Sequence, residues 1–334
     1  MLDVITIGDA MKDIFVFPSI NEMEKPISGD KINLSRDEKF MVLDYGGKIS
    51  VSDAEISIGG TACNVAVALA KMGLKSGIVS AVGEGSEGEE IINRLEENHV
   101  NTKYIEMYPE KKSSFSVIIS YKAERSILVY HGFTPEEFIL PKESDNKWFY
   151  IGPLGEDYKN LYLKLTAMAA EKNIKIAINP GSIQINDGLT SFGGLLRVAK
   201  VLFVNKEEAK KLAKIQQVLT LKEITKALLK TGVETVVVTD GRNGACAASG
   251  DNFYKIGIFP GDRLDSTGAG DAFASGFMAG LIKNEKIVTC LQMGAINSAS
   301  VVGKIGAQKG LLSYSVIKSK IRDYKWPAET FDFD

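Results

Sequence analysis

Val201-Leu202-Phe203-Val204 is an unbroken apolar run, followed at once by Asn205-Lys206-Glu207-Glu208 and a charged stretch to Lys214. A helical pattern over Leu221–Lys230 comes next, then a second buried-looking run, Thr235–Thr239. Short runs that are apolar at every position read as strands covered on both faces, which parallel sheets flanked by helices require. Working outward, Val4–Ile7, Gly77–Ala81, Trp148–Ile151 and Ile174–Ile178 read the same way. Between and after them lie helical patterns at Ala62–Met72, Glu87–Asn98 with Ser86 as its N-cap, Tyr158–Lys172, Ala272–Ile282 and Val288–Val302. Strand alternating with helix predicts an α/β protein with a three-layer, doubly wound, mostly parallel sheet.

Two stretches break the rhythm. Phe15–Ile58 has no helical period but carries short alternating pieces such as Phe40–Leu43 and Glu55–Ile58, while Ser113–Tyr121 and Arg125–Tyr130 read as strands joined at Lys122–Glu124. A structureless loop of roughly 40 residues is improbable inside a compact domain. The expectation is a small β lid built from residues 15–58 and 110–133, standing on a body of residues 1–14, 59–109 and 134–324. Residues 325–334 are expected to be a docked or frayed tail.

With 45% hydrophobic and 25% charged residues, the chain has the composition of a folded globular protein. A net charge of −2 without a long basic run argues against nucleic acid or an anionic membrane as the main partner. The apolar run Ala272–Ile282 is too short to span a bilayer, and the N-terminus lacks the basic region of a signal peptide. Cys63, Cys246 and Cys290 are too far apart for a zinc pattern and too few for a disulfide framework, so buried thiols in a reducing cytoplasm are expected. Two histidines, His99 and His131, exclude a multi-histidine metal site.

The richest motif is Asp265-Ser266-Thr267-Gly268-Ala269-Gly270-Asp271, leading into a helix of small residues. Successive backbone N–H groups at Gly268, Ala269 and Gly270, just before a helix N-terminus, make an anion hole. Asp271 stands beside it as the helix's first residue, where it could take a proton from an attacking hydroxyl. A base next to an oxyanion stabiliser suits phosphoryl transfer to an alcohol. A plain Gly-rich turn whose Asp complements the helix dipole is the competing reading of the same residues. A second glycine motif, Gly83-Glu84-Gly85-Ser86-Glu87-Gly88, matches the dinucleotide fingerprint and keeps an NAD-dependent dehydrogenase open. Glu84, Glu87, Glu89 and Glu90 would crowd a pyrophosphate there, so a structural turn is preferred.

The Asp265–Asp271 motif resembles the signature of the ribokinase-like, or PfkB-type, carbohydrate and nucleoside kinases, and further motifs follow in that family's order. Gly59-Gly60-Thr61-Ala62-Cys63-Asn64 is similar to the family's sugar-holding signature, where two glycines let backbone approach a polyol and Asn64 offers a donor and an acceptor. Asp9 and Asp13 resemble its acidic hydroxyl ligands, placed after the first strand where such sheets bind ligands. Asn205-Lys206-Glu207-Glu208 resembles the Asn-x-x-Glu motif. The resemblance implies that Asn205 meets the phosphates of ATP and that Glu208 positions Mg²⁺ through water. Thr239, Gly241 and Gly244 look like the nucleotide loop, and Asn297 with Gly306-Ala307-Gln308 resembles the segment closing over adenine. Some members imply a monovalent cation, K⁺, near Asp265 and Thr267. A homodimer clasped through the lids, as in several relatives, is expected of this chain.

Departures from ribokinase itself bear on the acceptor. Met11 replaces a hydroxyl-binding Asn, Gly155 falls where a Glu meets ribose, and Asn179–Ser182 lacks the downstream Arg of ketodeoxygluconate kinases. The expected function is ATP-dependent phosphorylation of a primary hydroxyl of a sugar or related small molecule. A nucleoside kinase of the same fold is the alternative, ahead of the dehydrogenase and of a non-catalytic sugar or nucleotide sensor.

Overall fold

The computed structural model describes residues 1–19, 46–121, 124–143, 146–214, 219–324 and 329–332. The large sheet contains, in chain order, β1 (Leu2–Ile7), β4 (Ser76–Gly83), β5 (Asn101–Tyr108), β8 (Asn146–Ile151), β9 (Lys175–Ile178), β10 (Ala199–Asn205), β11 (Thr235–Thr239), β12 (Ala245–Ser249), β13 (Asn252–Ile256) and β14 (Glu329–Asp332). Their spatial order is β14-β13-β12-β11-β10-β9-β8-β1-β4-β5. From β11 to β5 all pairs are parallel, and β11 through β14 are antiparallel. A second sheet has the order β3-β2-β6-β7, from β2 (Met11–Pro18), β3 (Val51–Gly59), β6 (Ser114–Tyr121) and β7 (Glu124–Tyr130).

Helices cover both faces of the large sheet. One layer holds α1 (Thr61–Lys71), α2 (Ser86–Glu97), α8 (Ala269–Ile282), α9 (Ile287–Val302) and α10 (Tyr314–Tyr324); the other holds α3 (Tyr158–Lys172), α4 (Ser182–Asp187), α5 (Leu189–Leu196), α6 (Lys206–Leu212) and α7 (Leu221–Leu229). The central strands are apolar along most of their length because alternate side chains enter different cores. Val4, Ile78, Tyr150, Val201, Phe203 and Val237 face the first layer; Ile5, Val79, Phe149, Leu202, Val204 and Val236 face the second. The expected three-layer α/β fold with a small separate sheet is what the chain forms.

Several boundaries differ from expectation. β2 begins at Met11 inside the small sheet, so a division after residue 14 cuts through a strand. The residue in the N-cap position of α2 is Gly85, at φ 131°, with no side-chain cap, and Ser86 is the first helical residue. β14 docks the chain's last described residues on β13, covering an edge that would otherwise be open. Phe40–Leu43, expected as a strand, lies outside the described residues. Among the described residues no helix is long and apolar enough to cross a membrane. The three cysteines are free and buried.

Candidate active site

The order β8-β1-β4 makes the carboxyl end of β1 a switch point, because the chain leaves β1 for β4 on one side and returns through β8 on the other. Asp9 follows this strand. It is buried, and its Oδ2 lies 2.7 Å from Nδ1 of His131, which follows β7 of the lid. That hydrogen bond raises the His131 pKa, opposed by partial burial. Asp13, also buried, accepts a 2.5 Å hydrogen bond from Ser116 Oγ across the β2–β6 pair. Gly59 closes β3 directly over it, and a Cβ at that position would overlap the Asp13 carboxylate.

Asn64, on the first turns of α1, links this group to the second motif. Its Nδ2 donates to Asp271 Oδ2 at 2.8 Å. Burial pushes the Asp271 carboxyl up, against the pull of hydrogen bonds from Asn64 and Thr61 and the charge of Arg125. Asp271 is the third residue of α8, not the first. Gly268, left-handed at φ 74°, takes the N-cap position, and a Cβ there would collide with Ala307. Of the amides expected in the anion hole, Ala269 N–H donates to Ser266 O at 3.2 Å. The N–H groups of Gly270 and Asp271 lie in the first turn, where helix geometry supplies no acceptor. Phe277 of α8 meets Phe203 of β10 edge-on at 5.6 Å, seating the helix on the sheet. Truncating such a buried ring to Ala costs about 3–5 kcal/mol.

A cleft of ≈ 280 Å³ opens on the other side of this turn. The β11–β12 turn lines it with Thr239, Gly241 and Gly244; α8 contributes Ala269 and Gly270, and α9 contributes Ala295, Ser298, Ala299 and Val302. Asn297 is in the wrong place to join them. It is fully buried, its Nδ2 donates to Ala272 O at 2.9 Å and Ser275 Oγ at 3.3 Å, and its Oδ1 accepts Leu312 N–H. It bolts α9 to α8 while its neighbours face the cleft. Gln308, in the segment that resembles the one closing over adenine, reaches Asn64. Asn205 lies beside Thr239 in the β10–β11 register and caps α6: its Oδ1 accepts Glu208 N–H at 2.9 Å, and Glu208 Oε2 accepts Asn205 N–H at 2.8 Å. Burial raises the Glu208 carboxyl. Asp265 is buried with only neutral donors among the described residues, namely Thr267 N–H and Oγ1 on Oδ1 and Gly306 N–H on Oδ2.

A family model described as pfkB family carbohydrate kinase matches residues 26–313. The chain belongs to this family. It is an ATP-dependent carbohydrate kinase. An ATP-dependent 6-phosphofructokinase of Thermoanaerobacterium thermosaccharolyticum is 25% identical over 287 residues, 83% of this chain and 88% of that protein. Among solved structures, a Burkholderia thailandensis nucleoside kinase in complex with inosine superposes with a TM-score of 0.77 at 18% identity, covering 96% of this chain and 98% of the other. Arabidopsis thaliana ribokinase complexed with ribose and ATP gives 0.76 at 19%, covering 95% and 98%.

In this PfkB kinase the fingerprint-like Gly83–Gly88 segment is a turn at the end of β4. Gly83 N–H donates to Ser113 Oγ at 3.0 Å, and Glu90 pairs with Lys12 of the lid at 2.9 Å. Motif reading missed three side chains that the fold delivers to the site or its lid, Lys12, Arg125 and His131, and it quoted Gln308 without its link to Asn64. Arg125, from β7, donates to Ser266 Oγ in the Asp265–Asp271 loop. Being one of only two histidines was the one available signal for His131; Lys12 and Arg125 carried none.

Proposed function

We propose that this kinase transfers the γ-phosphoryl group of ATP to a primary hydroxyl of a sugar. The hydroxyl oxygen forms the new O–P bond, the bond from the γ-phosphorus to the β,γ-bridging oxygen breaks with its electron pair leaving on ADP, and the proton passes to Asp271. The observation carrying this reading is the position of Asp271: in the first turn of α8 beside the cleft, joined to Asn64 of the acceptor group, with its carboxyl raised by burial. A raised carboxyl is a better base for an alcohol proton. Gly268 and the N–H groups of Gly270 and Asp271 would face the charge that develops on the transferred group, with Ala269 N–H held by Ser266 O.

Asp9, Asp13, Asn64 and the Gly59-Gly60 backbone would hold acceptor hydroxyls. Thr239, Gly241 and Gly244 would border the nucleotide, with Asn205 at the phosphates. Glu208 would hold Mg²⁺ through water, and the bound ion neutralises phosphate charge. Asp265 suits a monovalent cation such as K⁺, because its buried carboxyl group meets only neutral donors among the described residues. The lid is also the proposed homodimer contact of a cytoplasmic enzyme.

The test is Asp271→Asn in a coupled ADP assay across sugars and nucleosides. We expect kcat to fall about 10²–10⁴-fold, the usual cost of a lost base, while ATP binding by calorimetry persists. Retention of more than about a tenth of kcat would be too small a loss for a general base and would overturn the mechanism. A nucleoside as the best acceptor would overturn the sugar assignment alone.

A further inference from the structure

The hydrogen bonds around Asn64 determine one another in a single sense. Gln308 Nε2 donates to Ile58 O at 3.3 Å and to Asn64 Oδ1 at 2.9 Å. Ile58 O is a backbone carbonyl and can only accept, so the nitrogen of the Gln308 amide has to face it. The same nitrogen faces Asn64, which has to answer with its oxygen. Asn64 Nδ2 is thereby turned to Asp271 Oδ2 at 2.8 Å. Left alone, a side-chain amide can point either way, and the flipped form would set an oxygen against the carboxylate. Asp271 disfavours that form from one side, and Gln308 excludes it from the other by presenting a donor to the Asn64 oxygen.

We infer that Gln308 is a positioning residue for phosphoryl transfer: it locks the Asn64 amide so that its N–H holds Asp271, and it does so only while β3 of the lid is seated. The inference rests on the reading of Asp271 as the base. Its distinctive content is the route by which the lid reaches the base. Ile58 belongs to β3, Asn64 to α1, Asp271 to α8, and Gln308 to the segment after α9. Neighbours of Gln308 reinforce the junction: Gly306 N–H donates to Asp265 Oδ2 at 3.1 Å, and Lys309 pairs with Glu55 of β3. With β3 withdrawn, the Gln308 amide loses the carbonyl that orients it, Asn64 keeps only the carboxylate to fix its amide, and Asp271 holds this donor less firmly beside Thr61. An acceptor that seats the lid therefore also completes the base, a link between binding and chemistry.

Gln308→Met keeps the length of the side chain and removes both donors. We expect kcat to fall about 10-fold, the scale of one mis-set hydrogen bond, with the KM for ATP unchanged. The acid limb of the kcat profile should move to higher pH, because Asp271 loses an N–H that favours its charged form. In the Asn64→Ala background the same substitution should cost nothing further. An unmoved acid limb, or full additivity with Asn64→Ala, overturns the inference. A readout independent of turnover is the Asn64 side-chain amide in ¹⁵N NMR, assigned by its loss in Asn64→Ala. Its shift should respond to Asp271→Asn in the parent protein and not in Gln308→Met. A response in both backgrounds overturns the positioning role whatever the activity. If instead Asp271→Asn retains its kcat while the NMR link depends on Gln308, the base assignment fails and the positioning of Asn64 stands. Gln308→Glu, which as a carboxylate can donate to neither Ile58 O nor Asn64 Oδ1, should also abolish the response of the Asn64 amide to Asp271→Asn; a parent-like response would count against the inference.

Discussion

Burial pushes Asp13 up to about 6 from an ordinary 3.8; the Ser116 hydroxyl opposes this and the charge of Asp271 adds to it. Two consequences have opposite value. Between about 4 and about 6 the unfolded chain has released this proton while the folded chain keeps it, so the Asp13 contribution to stability falls as pH rises through that window. Asp13→Asn should therefore raise Tm at pH 7.5, and the gain should shrink as pH falls below about 6. The same substitution should raise the acceptor KM, and in the parent enzyme that KM should climb below about pH 6 as the carboxylate becomes neutral. Differential scanning fluorimetry and initial rates over pH check both; an acceptor KM indifferent to Asp13 would place the acceptor elsewhere. Residues of this kind were legible because they lie in contiguous motifs. Arg125 and His131 were not, because each acquires its meaning from a partner 141 or 122 residues away, and Gln308, although inside a quoted motif, has its partner Asn64 244 residues away.

At the scale of elements, α6 presents two roles on the same pair of residues. Asn205 and Glu208 form a capping box, which by itself accounts for both side chains. A substitution that spares the cap separates the roles. Glu208→Gln keeps an acceptor for Asn205 N–H and removes only the charge, so Tm should change little. If Glu208 holds Mg²⁺, the Mg²⁺ concentration for half-maximal rate should rise several-fold at saturating ATP. An unchanged Mg²⁺ dependence would leave the residue a cap and nothing more. Elements with strong patterns were readable in advance: Tyr158–Lys172 is helical over the expected range, and the buried runs are the central strands. Those missed have physical reasons. β5 is an edge strand with a half-exposed, mixed face, and β12 is Ala245-Cys246-Ala247-Ala248-Ser249, whose small residues carry no strand signal although it is buried between neighbours. α8 starts earlier than its apolar pattern because Gly268 caps it by conformation and not by a polar side chain.

At the scale of the whole molecule, the two sheets differ in how they are finished. The large sheet is covered on both faces and β14 closes one of its ends, whereas β7 forms an edge of the lid with Ile127, Leu128, Val129 and Tyr130 all exposed and Phe115 of β6 beside them. Leu128 is 62% exposed. A run of apolar residues on an open strand is costly for an isolated molecule and invites pairing. Lid-to-lid contact between two copies would bury it, close the edge, and press β3 and β6 onto the acceptor residues they carry. The expected outcome is a dimer in sedimentation velocity at micromolar concentration. Leu128→Lys places a charge at the centre of the patch without touching the body, so the variant should sediment as a monomer with Tm of the α/β core preserved. Since the lid supplies Asp13 and anchors Gln308 through Ile58, loosening it should raise the acceptor KM and lower kcat together, with the KM for ATP little changed. A parent protein that sediments as a monomer would leave the apolar edge facing solvent and would overturn the lid-clasped assembly.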